Sequence, residues 1–457
     1  MNQSYDTVVI GSGLTGLTTA FYLKRKGLSV LVVDQNDQPG GVIRTHRQKG
    51  FIFECGPNTG VLSTPEVAEL FEDLKNDCDL EIASEEAKTR WVWKGDKWHA
   101  LPSGLAGGIT TPLFTWKDKF RLLGEPFRKP GTNPDETLAA LVKRRMGNSF
   151  LDYAVDPFIL GIYAGDPGYL VPRFALPKLY NLEQTYGSFI GGAVKKKRAG
   201  KTEREKKATG DVFSVKGGLS NLIWALEKHI GNESFHFQAK DVKVHRSPEG
   251  YDVKIDEARY RVNQVVYTGG SHSLHQLFDF ISAEQESKLD NLTYAKVVQV
   301  ALGFKKWDGR PLNAFGGLVP FREQRDVLGV LIPSSFLSGR APNDGALLSV
   351  FLGGVRRPEV IDKPDEEIRR LIKQEISEMM RLPHFNPEVQ EIFRYQHAIP
   401  QYGANTYQRL ETIEQVESRF PGLFLGGNMR DGIGMADRIR QGRKMAEQVL
   451  KSRGLHS

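Results

Sequence analysis

The chain has 457 residues, 40% of them apolar, enough for roughly three domain-sized units with buried cores, which excludes both a lone small domain and global disorder. Its 62 Lys and Arg against 55 Asp and Glu leave a formal net charge of +7, gathered densely only at residues 195–198, 206 and 207 without interleaved aromatics. That pattern argues against nucleic acid as a partner and fits small anions or anionic lipid head groups, while two cysteines, Cys55 and Cys78, exclude a disulfide framework and point to a reducing, cytoplasmic compartment.

In chain order, the apolar run 7–10 predicts a strand that ends at Gly11, Ser12, Gly13, Leu14, Thr15 and Gly16. A helical pattern through Leu17, Ala20, Phe21 and Leu23 follows, up to Gly27. A second predicted strand, 29–33, ends at Asp34 and Gln35, with the acid about 20 residues beyond the glycine loop. Strand, glycine turn, helix and acid together predict a dinucleotide site. Glycines let a pyrophosphate reach backbone N–H groups at a helix start, and the acid suits a free ribose hydroxyl, hence FAD or NAD in preference to NADP. A second glycine turn, Gly40-Gly41-Val42-Ile43-Arg44-Thr45, and the segment Phe53-Glu54-Cys55-Gly56-Pro57-Asn58-Thr59 resemble FAD proteins of the amine oxidase and glutathione reductase type.

Residues 108–207 are rich in helix formers and basic residues, with Trp116, Phe120, Phe127, Phe150, Phe158 and Tyr163 as apolar anchors. Residues 240–244 predict a strand holding Val242, and the alternation in 296–304, 327–332 and 347–352 predicts a mixed sheet. Near the end, 423–428 reads as a buried strand with a glycine turn, and Ile433, Gly434 and Met435 open a last helix. No run reaches about 18 apolar residues, no leader is read at the start, and no metal-ligand spacing, GxSxG elbow or Walker lysine occurs. Neither His272 nor His397 has a context that makes it a general base.

Four strings are more specific: residues 157–167 (PFILGIYAGDP), 216–219 (KGGL), 315–320 (FGGLVP) and 398–402 (AIPQY). With the flanking nucleotide elements, they make residues 5–450 resemble the protoporphyrinogen and coproporphyrinogen oxidase family, FAD-dependent members of the amine oxidase superfamily. The resemblance implies an α/β fold: a Rossmann-like FAD-binding domain (1–80, 208–282 and 415–457), a mixed-sheet substrate domain (81–107 and 283–414) and a helical insert (108–207) that contacts a membrane surface. It implies non-covalent FAD, held by Gly11 to Gly16, Asp34, Gln35, Gly41, Val42, Gly56, Pro57, Asn58, Thr59, Val242, Ile433, Gly434 and Met435. It also implies that a porphyrinogen is oxidised to the porphyrin in three two-electron steps, with hydride passing to the flavin and dioxygen as the electron acceptor. No side chain is assigned as a catalytic base and no metal is expected.

By the same resemblance Arg90 faces a substrate propionate, Phe315 and Leu318 sandwich a pyrrole ring, Gly316 brings its backbone near the macrocycle, and Gly161 lines the cavity. Residues 328–333 and 353–358 look more like the protoporphyrinogen branch, so the expected reaction is protoporphyrinogen IX to protoporphyrin IX, with coproporphyrinogen III as the alternative. A homodimer and contact with the inner face of the cell membrane are both compatible with these features. The chain departs from the family pattern at Arg438, where a cysteine is usual, at Met429-Arg430, where an aromatic is frequent, and at Asn58, where some members carry a basic residue. Lys296 sits roughly where amine oxidases keep a flavin-facing lysine, so an amine oxidase or carotenoid desaturase is a second reading, and a tetrapyrrole binder without turnover a third.

Overall fold

The computed structural model describes residues 3–102, 104–198, 200–274 and 277–455. Its first strand, Gln3–Ile10, is flanked by two parallel neighbours, Val30–Val33 and Ala258–Tyr267, with Val9 level with both Val32 and Val266. Val8, Val9, Val32 and Val266 have no solvent exposure, as expected for parallel strands covered on both faces. The sheet continues through Phe235–His236 on one side. On the other, the long strand Ala258–Tyr267 divides. Its first half pairs with the antiparallel meander Gly250–Ile255 and Val242–Ser247, and its last three residues take Leu423–Leu425 in parallel.

Two helices cover one face of this sheet, Leu14–Arg25 directly after the first strand and Met435–Ser452 directly after the last. They cross closely because Gly442 has no side chain: a Cβ there would lie 2.6 Å from the Thr15 carbonyl oxygen. Thr19 Oγ1 donates across the crossing to the Gly442 carbonyl at 3.1 Å.

The second sheet runs, in spatial order, Val389–Pro400, Tyr294–Phe304, Ala346–Gly353, Val327–Leu331, Gly316–Leu318, Arg90–Trp93 and Trp98–Ala100. Only the Gly316–Leu318 and Arg90–Trp93 pair is parallel, so the sheet is mixed as expected. Alternation decides its faces. Val298, Val300 and Leu302 point into a core with Trp91, Trp93 and the helix Asp365–Met380, whereas Ala295 and Val297 point to a cluster with Leu160 and Ala164. The strand Leu80–Ile82 joins neither large sheet and pairs with Val212–Val215.

Between the strands Trp98–Ala100 and Val212–Val215 the chain forms a run of short helices. Its basic residues do not simply face water: Glu125 and Arg145 are fully buried and paired at 2.7 Å, Arg145 also meets Glu183 at 2.9 Å, and Arg144 joins Glu183 to Glu136. Lys206 and Lys207 are likewise paired, with Glu203 and Glu72, and Arg204 bridges Glu66 and Glu69. Part of the dense basic cluster is therefore neutralised locally. Among the described residues, no helix is long and apolar enough to cross a membrane.

Candidate active site

The C-terminal ends of the parallel strands meet at one edge, where ligands settle in open α/β sheets. Gly11, at φ +106°, closes the first strand, and a Cβ there would lie 2.9 Å from Thr268 Oγ1 at the end of the neighbouring strand. Gly427, at φ +76°, closes the last strand with its Cα facing the Thr268 carbonyl, 2.6 Å from where a Cβ would sit. At Gly16 a Cβ would lie only 1.9 Å from the Gly11 carbonyl oxygen, so only glycine allows the helix to begin this close to its strand. Gly13 has open space around the same position. The loop thus offers backbone amides at a helix start with room for an anion beside them.

Asp34 is held at this edge. Its Oδ2 accepts from the Ser12 amide and hydroxyl at 2.6 and 2.7 Å, and its Oδ1 accepts from the Asn36 amide and side chain at 2.9 and 2.8 Å. Four donors fill the carboxylate's acceptor sites. A ligand hydroxyl could therefore reach this carboxylate only by displacing the Ser12 hydroxyl or the Asn36 side chain. Gln35 is exposed beside it. Gly41 packs against Gly13, and Gly40 donates to the Ser12 carbonyl at 2.8 Å, so the second glycine turn rests on the first.

Val42, a large apolar residue, is 56% exposed on that turn. Gly56, at φ +86°, lies under the Val42 carbonyl, and its N–H donates to Gln299 Oε1 at 2.9 Å. Buried Gln299 also donates to the Glu54 carbonyl and to Ser349, which ties this nucleotide-side segment to the second sheet. Asn58 is buried with its Oδ1 unpartnered, an acceptor left for a ligand donor, between half-exposed Pro57 and Thr59. Gly434 is exposed at the start of the last helix, next to half-buried Ile433 and buried Met435. Val242 opens the outer strand of the meander, three residues after Ala239, whose N–H donates to the Asp34 carbonyl at 3.1 Å.

The substrate-side residues come together on the other sheet. Arg90 begins its strand level with Gly316, and its guanidinium lies over the Phe315 ring, 5.2 Å from the centroid. It has no ion-pair partner among the described residues. Phe315 stacks obliquely on Phe336, with centroids 4.6 Å apart. A Cβ on Gly161 would lie 2.3 Å from Leu318 Cδ2, so the two predicted cavity residues touch. At Gly316 a Cβ would meet the Val330 carbonyl at 2.3 Å, a packing requirement within the sheet itself.

Several residues of this region are given no binding role in the sequence reading. Thr268, Gly269 and Gly270 form a third strand-end glycine turn, detectable in the sequence as an apolar run ending in two glycines. Tyr402, the last residue of AIPQY, is buried and donates to the Asn428 and Gly432 carbonyls at 2.8 and 2.9 Å. Buried Arg409 donates to the Met429 carbonyl at 3.0 Å. His272 and His397 stack face to face with centroids 3.9 Å apart and Tyr294 against their edges, joining the segment after the third glycine turn to the strand Val389–Pro400. No cluster of metal-ligating side chains occurs among the described residues.

Three glycine-ended parallel strands, two helix starts and an acid held at the strand edge form a dinucleotide cradle. The family model for flavin containing amine oxidoreductases matches residues 14–450. The chain belongs to that family. This flavin containing amine oxidoreductase is an FAD-dependent oxidoreductase with the α/β fold read from its sequence. It is 26% identical over 476 residues to protoporphyrinogen oxidase 2, chloroplastic/mitochondrial, of Arabidopsis thaliana, covering 97% of this chain and 93% of that one. It is 25% identical over 464 residues to coproporphyrinogen III oxidase of Bacillus subtilis (strain 168), covering 97% of each. Among solved structures, cyclohexylamine oxidase from Brevibacterium oxydans IH-35A superimposes with a TM-score of 0.73 at 15% identity, covering 99% of this chain and 100% of that one. That likeness concerns the fold.

Proposed function

We propose that this flavoenzyme oxidises a porphyrinogen, protoporphyrinogen IX, to the porphyrin, with dioxygen as electron acceptor. The observation that carries the reading is Arg90, a cation without an ion-pair partner laid over Phe315 beside the Leu318 and Gly161 contact. A planar guanidinium binds a carboxylate bidentately, and apolar faces suit a flat, hydrophobic ring bearing one. Relatives named for protoporphyrinogen and coproporphyrinogen oxidation over nearly the whole chain support the same reading.

Bound FAD supplies a two-electron hydride acceptor. The glycine loop and its helix start would hold the pyrophosphate, Asp34 the ribose, and Asn58 Oδ1 would accept from a donor of the cofactor. Val42 offers an apolar contact. Arg90 orients the substrate by its carboxylate, and Phe315 and Leu318 hold the ring.

The match to coproporphyrinogen III oxidase over 97% of both chains favours coproporphyrinogen III as the second reading. Purified protein showing a flavin spectrum, supplied separately with each porphyrinogen under air, tests the proposal. Growth of porphyrin fluorescence is expected, faster with protoporphyrinogen IX. Faster growth with coproporphyrinogen III selects the second reading, and turnover of amines with no porphyrin formed overturns both.

The same reading places the enzyme peripherally on an anionic membrane surface. Trp116, Phe120, Leu123 and Phe127, on one short helix and the turn after it, are 62%, 68%, 71% and 89% exposed, and Lys117 and Lys119 lie among them. Apolar side chains with interspersed lysines suit the head-group boundary.

A further inference from the structure

Residues 427–432 connect the last strand of the nucleotide sheet to the final helix, and nearly all of their carbonyls are turned toward side-chain donors. Arg438 donates to the Gly427 carbonyl, to the Arg430 carbonyl at 2.7 Å and to the Gly432 carbonyl at 2.8 Å. Tyr402 takes Asn428, and Arg409 takes Met429. The Gly427 amide donates to Gln441 Oε1 at 2.8 Å, so the loop is held through its carbonyls by Arg438, Tyr402 and Arg409 and at its start by Gln441.

The charge on Arg438 is not cancelled by an ion pair. Its remaining contact is the neutral Gln441 at 3.0 Å, and its buried Nε has no partner. The two nearby acids are engaged elsewhere: Asp431 pairs with Arg430 at 3.2 Å and accepts from Gln441 at 2.8 Å, and Asp437 pairs with Arg440 at 3.0 Å. Arg438 also sits at the strand edge itself. Thr15, in the glycine loop, donates to its backbone carbonyl at 3.3 Å. A neutral side-chain amide has only two N–H groups for these three carbonyls, so the guanidinium brings an uncompensated charge along with its donors.

We propose that Arg438 is a positioning residue that sets the redox poise of the flavin. It adds a fixed, unpaired positive charge beside the loop 427–432 and so favours the reduced cofactor, which carries more negative charge than the oxidised one. The inference rests on FAD lying at this strand edge.

The test is the midpoint potential of the bound flavin in purified wild-type holoenzyme, Arg438→Lys, Arg438→Gln and Tyr402→Phe, with FAD content and Tm measured on each. Arg438→Gln is expected to weaken the preference for reduced over oxidised flavin about tenfold, a fall of about 30 mV for a two-electron couple. Arg438→Lys is expected to keep most of the wild-type value. Tyr402→Phe removes two loop contacts without removing charge and is expected to leave the potential nearly unchanged. An unmoved potential in Arg438→Gln overturns the inference, as does an equal fall in Tyr402→Phe, which would assign the effect to loop shape. If Arg438→Gln does not fold, a fall in Arg438→Lys as large as tenfold, with FAD content intact, overturns it as well. A wild-type protein that binds no flavin would instead overturn the placement of FAD.

Discussion

At the scale of single residues, Arg90 and Asp34 differ in how much work the fold has already done for them. Arg90 has lost part of its hydration, and burial lowers its pKa, but no acid compensates it. A substrate carboxylate would be its first full partner. Arg90→Ala is therefore expected to raise KM for the porphyrinogen about 10- to 100-fold, the range of a charged hydrogen bond, while FAD content stays unchanged. Steady-state kinetics beside a flavin spectrum check this, and unchanged kinetics would remove Arg90 from the site. Asp34 already has four donors, and two of them are the backbone amides of Ser12 and Asn36. Asp34→Ala should weaken FAD binding about 10- to 100-fold. Ser12→Ala, which deletes a donor the ribose can replace, should cost little, and equal losses in titrations of the apoprotein would refute the exchange.

The elements that were readable in the sequence were those whose local pattern and tertiary role agree. The glycine loop between strand and helix, the strand at 423–425 and the alternation in the mixed sheet needed no distant partner to be recognised. What could not be read depends on residues far apart in the chain. Gln299 contacts Gly56 and Glu54 from the second sheet, Tyr402 and Arg409 reach the loop at 427–432, and Arg145 loses its exposure only because Glu125 and Glu183 converge on it. No spacing rule anticipates such pairings. The apolar anchors of the helical insert illustrate the reverse case, in which composition alone does not say which of them are buried. Trp116 and Phe120 remain outside, whereas Phe150 and Tyr163 are buried. Replacing Phe127 and Trp116 with Asp is expected to reduce co-sedimentation with anionic liposomes severalfold without lowering Tm. Unaltered sedimentation would refute the membrane reading of this element.

Across the whole molecule, the two large sheets are joined at a few polar and aromatic points, among them the stacked His272 and His397. Burial lowers the pKa of His272, and the proximity of His397 lowers it further. A histidine depressed in the fold contributes stability that is complete above its unfolded pKa, about 6.5, and is lost as the pH falls through the folded value. Asp290 acts in the opposite sense but does not reverse the shift. His272→Phe keeps a ring and removes the titration. Its Tm, compared with that of the wild type, is expected to rise as the buffer goes from about pH 7.5 to about pH 5.5. A constant difference across that range would show that the stacked pair does not couple acidity to the joint.

The cofactor cradle is also a statement about time. Its central strand comes from residues 3–10, its neighbour from 258–267, and the strand that completes the edge from 423–425. A ribosome producing this chain has made the glycine loop long before its partners exist, and the helix that packs on the loop's own helix begins only at Met435. The early segment must wait as an unfinished sheet edge, the kind of surface that invites mispairing. With the flavin seated at this edge, as proposed, its capture waits until the strand at 423–425 and the helix after it arrive to close the site.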